Sequence, residues 1–234
     1  MTPAERRAII GDSLGVGIAT GAYGLSMGAV SVAAGLTVAQ SCALSLLVFT
    51  GASQFALVGV LAAGGAPVSG SVAALLLGSR NMLYGLRLAP TLGFTGWRRL
   101  GAAQLVIDES TAMSINRPSQ ASARLGFVAT GLAVFVFWNL ATLIGALAGS
   151  QLGDPETFGL DAAVGAAFLA LLWPRLRDRR NRLVAVLAAA LALGLVPVTA
   201  AGIPVIAAGG VALVVGLLSK AADPTEFPDA EELP

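Results

Sequence analysis

Long apolar stretches alternate with short basic ones along this chain. A membrane-crossing helix needs about 20 mostly apolar residues. Seven stretches meet that description: 9–35, 39–63, 69–93, 124–150, 158–174, 183–201 and 202–219. An eighth, 100–115, is weaker because Asp108 and Glu109 interrupt it. The pattern predicts an all-α, polytopic transmembrane helix bundle with about eight crossings. Seven crossings plus a re-entrant 100–115 segment is the rival arrangement. Within the first stretch Gly17, Gly21, Gly24 and Gly28 fall on one helical face, a spacing that suits close helix packing or a helix lining a path. A short echo between Phe49–Phe55 and Val164–Phe168 hints at an internal repeat of the kind transporters use.

Composition strengthens the membrane reading. Of the 234 residues 56% are hydrophobic and 12% charged, against about 25% charged in an ordinary soluble domain. Mean hydropathy is +0.82. A soluble fold of this size has too little interior to hide so much apolar surface. Cys42 is the lone cysteine, which excludes a disulfide scaffold. A net charge of +1, with no basic cluster interleaved with aromatics, points away from nucleic acid. Histidine is absent, so any proton relay must run on carboxylates, Tyr, Arg or Lys.

Charge then sets boundaries and orientation. Residues 221–234 carry Asp223, Glu226, Asp229, Glu231 and Glu232 and no base, and they read as an acidic disordered tail. Residues 1–220 are expected to form a single transmembrane domain, with transport as the work such a domain would do. Its bases cluster at Arg6/Arg7, Arg98/Arg99, Arg117/Arg124, Arg175–Arg182 and Lys220. Bases favour the cytoplasmic side. Eight crossings put both termini and every cluster but Arg98/Arg99 there.

Polar residues inside apolar stretches carry the functional argument, because they are costly in lipid and usually face a partner or a water-filled path. Arg80, Tyr84 and Arg87 share a helical face, with Asn81 beside them. Arg80 is placed to bind a carboxylate, either a substrate's or that of Asp108 or Glu109. Those two acids are candidates for ion coupling; the alternative is a surface segment in which both meet water. Thr50, Gly51, Ser53 and Gln54 suit an unwound turn whose free N–H groups meet an anion, or else interhelical hydrogen bonds. Trp138, Asn139 and Thr142 suit helix packing, and Asp12 and Asp161 suit helix N-termini. No phosphate-binding loop, metal-ligand spacing or nucleophile elbow is present, so neither an enzyme nor a cofactor is expected.

Taken together, Gly21-Ala22-Tyr23-Gly24, Phe49–Phe55, Arg80-Asn81-Met82-Leu83-Tyr84, Asp108-Glu109-Ser110 and Gly159-Leu160-Asp161 leading to Phe168 resemble the AzlC family, the larger subunits of branched-chain amino-acid exporters. The likeness runs from about residue 8 to about residue 218. The Arg80 segment departs from the family's commoner Asn-x-Arg-Tyr form. The resemblance implies a secondary transporter subunit in the bacterial cytoplasmic membrane. It implies export of branched-chain amino acids; the reading expected here is export of Leu, Ile and Val, with Met a further candidate, against proton entry. It also implies a small hydrophobic AzlD-type partner subunit. On that reading Gly51, Ser53, Gln54, Arg80, Asn81 and Tyr84 bind substrate, and Asp108 and Glu109 couple the ion. A channel-like pore for another small solute and a non-transporting membrane subunit are the alternatives.

Overall fold

The structure, a computed structural model, describes residues 1–115, 117–151, 169, 172–200 and 202–218. Every regular element among them is helical. Two helices are long and apolar enough to cross a membrane: α1 (Pro3–Ala33) and α7 (Gln120–Gln151). At 1.5 Å per residue each exceeds the roughly 30 Å of a bilayer's hydrocarbon. A reciprocal capping box starts α1. The Thr2 hydroxyl accepts the Glu5 N–H at 3.1 Å, and the Glu5 carboxylate accepts the Thr2 N–H at 3.3 Å.

The glycine stripe of α1 packs against α7, as its spacing suggested. A Cβ on Gly17 would collide with Ala133, one on Gly21 with Phe137, one on Gly24 with Trp138 and Ala141, and one on Gly28 with Thr142 and Ala146. Below them Thr130 donates a buried hydrogen bond to Ser13 at 2.9 Å. Partner numbers rise together along both helices, so α1 and α7 run parallel and begin at the same end of the molecule. Arg6, Arg7, Arg117 and Arg124 mark that basic end.

Stretch 39–63 does not form one helix. It divides into α2 (Val38–Leu47) and α3 (Gly51–Ala62), with Thr50 in extended backbone between them. Val48, Phe49 and Thr50 are β-branched or aromatic and Gly51 follows, a poor run for helix continuation. The pieces also reverse direction. After the turn at 34–37, α2 descends alongside α7 from Ser45, 3.4 Å from the Thr142 hydroxyl, to Phe49, stacked edge-on against Phe135. From there α3 climbs back. It lies antiparallel to α4 (Pro67–Leu92): Ser53 donates to Ala74 O at 2.8 Å, and Gly70 packs on Leu57 and Val60. The C-terminus of α4 is fixed to the start of α7, where Gln120 donates to Thr91 O at 3.0 Å and Arg124 to Leu92 O. So α4 runs from the opposite end to the basic end, and α2–α3 is a hairpin that enters from that opposite end and returns to it. Left-handed Gly35 and Gly64 make the two tight turns there.

Stretch 100–115 behaves in the same way from the basic end. It gives α5 (Gly96–Gln104) and the one-turn α6 (Asp108–Ala112), parted at Leu105–Ile107. Leu105 packs on Gly131, Ile107 joins Val134 in the core, and Met113 is back at Gly126. The turn-back that a re-entrant segment requires is the shape of 100–115, and 39–63, which the pattern reads as a full crossing, has it too. Eight full crossings do not follow from the described helices. Gln104 belongs to α5, whereas Asp108 and Thr111 belong to α6.

The last two helices are α8 (Arg179–Leu195) and α9 (Ile203–Leu218), which pack together. Gly202, just before α9, meets Ser69 and Val60, so the α8–α9 turn sits at the end opposite the basic one. Asp161, the Val164–Phe168 echo and the 221–234 tail lie outside the described residues.

Candidate functional site

Each hairpin tip is locked by a buried polar side chain that follows the break. Gln54, fully buried, donates from Nε2 to Val48 O and accepts the Trp138 Nε1–H at 3.1 Å. Ser110, also fully buried, donates to Leu105 O at 2.6 Å and accepts the Ile107 N–H at 3.2 Å. The tips come together: Gln104 of α5 donates to Leu46 O of α2 at 2.9 Å, and Phe49 and Ile107 share one core cluster. Two broken elements entering from opposite ends thus meet halfway along α1, α4 and α7.

Between them lies a cavity of about 310 Å³, at the small end of ligand pockets, which run from about 300 to 1,000 Å³. Its lining is mixed: Thr20, Thr50, Gly51, Arg80, Asp108 and Glu109 contribute polar groups, and Phe49, Phe55, Leu77, Val134 and Trp138 contribute apolar ones. Arg80 Nη2 lies 2.8 Å from Asp108 Oδ2, tying the middle of α4 to the tip of the α5–α6 hairpin. Both side chains are about one-third exposed, which places the pair on the cavity wall. The buried Arg80 Nε makes no hydrogen bond. The carboxyl of Glu109, the next residue of α6, meets the Thr20 hydroxyl of α1 and lies within reach of the Asp108 and Arg80 charges. Thr50 precedes α3 without a side-chain cap, so the first N–H groups of that helix are left to the cavity.

The structure brings together Gly51, Arg80, Asp108 and Glu109. It turns Ser53 and Gln54 into braces, Ser53 on α4 and Gln54 between the α2–α3 break and α7. Asn81 and Tyr84 stand outside the cavity lining. Thr20, Tyr23, Phe55, Leu77, Val134 and Trp138 line it without having been singled out for it. Of the predicted packing patch, Thr142 meets Ser45 of α2, whereas Asn139 donates to Phe135 O of its own helix. Trp138 instead stands edge-on to Phe55 with ring centres 6.4 Å apart and faces the cavity. Phe55 and Leu77 also wall off a second, apolar cavity of about 540 Å³ that extends toward Val60, Val196 and Gly202 at the base-free end.

Comparison with known proteins follows this geometry. Residues 15–152 match the family described as AzlC protein. That span contains both hairpins, α4, α7 and every described charged residue of the cavity. An Archaeoglobus fulgidus protein named "Uncharacterized membrane protein" is 32% identical over 75% of this chain and 78% of its own length. A Helicobacter pylori protein of the same name is 24% identical over 74% of this chain and 77% of its own. No solved structure matches the chain.

Proposed function

The chain belongs to the AzlC family of membrane proteins, and on that premise we propose that it is a secondary transporter subunit exporting branched-chain amino acids across the bacterial cytoplasmic membrane. The observation that carries the reading is the cavity where the hairpin tips meet, lined by charged and apolar residues together. A zwitterion leaving water needs a cationic or N–H cluster for its carboxylate, an anion for its ammonium, and an apolar wall for its side chain. Arg80 and the start of α3 supply the first, the Asp108–Glu109 pair the second, and Phe55, Leu77, Val134 and Trp138 the third. A volume of about 310 Å³ suits a solute of this size.

In a membrane frame α1, α4 and α7 cross, and the hairpins α2–α3 and α5–α6 enter from opposite faces to mid-depth. Arg6, Arg7, Arg98, Arg99, Arg117 and Arg124 then share one face, which the charge bias makes cytoplasmic. Turns 34–37 and 63–66 on the other face carry no base. The N-terminus is cytoplasmic on this reading. A cavity closed by one hairpin on each side suits alternating access, with a carboxylate of the pair carrying the coupling proton. The partner is a small hydrophobic AzlD-type subunit.

The test is efflux. Cells lacking their own exporters are loaded with a Leu- or Val-containing dipeptide and express this chain with or without the small partner. Efflux that requires the partner and collapses with the proton gradient is the expected result. Its absence in both arms, with the protein present in the membrane, overturns export of these amino acids. Flux that survives neutralisation of both Asp108 and Glu109 identifies a channel-like pore instead.

A further inference from the structure

We propose that the two adjacent acids have opposite parts in ligand binding: Asp108 is a built-in competitor that occupies Arg80 when the cavity is empty, and Glu109 is the seat for the ligand's ammonium. This rests on the reading of the cavity as an amino-acid site.

Three observations carry it. Asp108 is already spent on Arg80, at 2.8 Å. A carboxylate ligand that reaches Arg80 must displace Asp108 or sit beside its charge. Glu109 takes no part in that ion pair: its carboxyl meets the Thr20 hydroxyl of α1 and lines the cavity, within reach of the Arg80 and Asp108 charges. The Thr20 hydroxyl brings no charge, and Arg80 and Asp108 act on Glu109 in opposite senses, so a ligand's cation is favoured there. The two acids also belong to different contacts of the fold. Asp108 ties the α5–α6 tip to α4, whereas Glu109 faces α1. Displacement of Asp108 therefore unties the tip of the hairpin that enters from the basic end, so binding loosens that gate. A ligand without a carboxylate leaves the tie intact.

The prediction is a difference of sign between neighbours. If Asp108 holds Arg80 about nine-tenths of the time, apparent affinity for a carboxylate is reduced about tenfold. Titration calorimetry on the full chain purified together with its small partner subunit tests this with three probes. These are L-leucine, L-leucinamide (no carboxylate) and 4-methylpentanoate (no ammonium). Asp108→Asn should bind leucine and 4-methylpentanoate about tenfold more tightly and leucinamide no more tightly. Glu109→Gln should bind leucine and leucinamide more weakly by a similar factor and leave 4-methylpentanoate unchanged. Asp108→Ser removes the same charge with a smaller side chain and must shift affinities in the same direction. Weaker carboxylate binding in either Asp108 variant overturns the proposal. So does a pair of Asp108 variants that both fail to fold, which makes the residue structural. Folded wild-type protein that binds none of the three probes overturns the amino-acid reading itself.

Discussion

At the scale of single residues, space decides more than chemistry along α1. Gly28 lies against the Thr142 carbonyl and the Ala146 N–H of α7, with no room for a methyl group. Gly15, on the same helix, has nothing within 4 Å. Gly28→Ala should therefore destabilise the protein by about 1–3 kcal/mol through overpacking, lowering its thermal midpoint by several degrees. Gly15→Ala should leave the midpoint unchanged or raise it slightly through helix propensity. Thermal unfolding of the purified variants checks both, and equal behaviour at the two positions contradicts the packing account. This stripe was legible in the sequence because its cause is local spacing. The Arg80–Asp108 pair was legible as one of two partners for Arg80. The work of Gln54 was not, because a buried amide that braces a break and one that binds a ligand look identical in sequence. Trp138 was hidden for the converse reason. It shares a helix with Thr142, which packs, and only the position of the α2–α3 tip turns it toward the cavity.

At the scale of elements, the broken helices hold their shape through few groups. Ser110 makes both hydrogen bonds that close the α5–α6 tip. Ser110→Ala leaves Leu105 O and Ile107 N–H without that partner, at a cost of about 1–3 kcal/mol for buried groups. The expected outcome is faster amide exchange confined to residues 105–112, with α1 and α7 as protected as before. Exchange unchanged at the tip argues that packing of Leu105 and Ile107 holds the break by itself. The break at 48–50 was foreshadowed by the unwound turn that Thr50, Gly51, Ser53 and Gln54 suit, and the turn-back of 100–115 by its two acids. The reversal of direction at 48–50 was not. Hydropathy reports how apolar a stretch is and carries no information about which way its second half runs. Two half-length helices therefore read as one span.

At the scale of the whole molecule, the hairpins make a topological prediction that cysteine labelling can read. In a chain with Cys42 replaced by Ser, single cysteines at Leu36 and Gly65 flank the α2–α3 hairpin, and those at Thr95 and Ser119 flank α5–α6. An impermeant maleimide added to intact cells should label the first two, and disruption of the membrane should be needed for the second two. If Leu36 and Gly65 label from different sides, α2–α3 crosses the membrane and the hairpin assignment is wrong. The same arrangement resolves the one basic pair that eight crossings misplace. Arg98 and Arg99 open α5 at the same end as Arg6, Arg7 and Arg124. The sequence supplied the charges, and the turn-back of two short helices put them on one side.

The parallel pairing of α1 with α7 has a consequence for biogenesis. The glycine face of α1 finds its mates more than 110 residues later in the chain, from Ala133 to Ala146. At about 5–20 residues per second, translation delivers those mates roughly 5–25 seconds after α1 has emerged. During that interval a helix with two small-xxx-small units stands in the bilayer with its association face uncovered. The nascent chain must be kept from pairing that face with a second copy or an unrelated helix, so the step most exposed to failure in making this protein is the wait before α7 arrives.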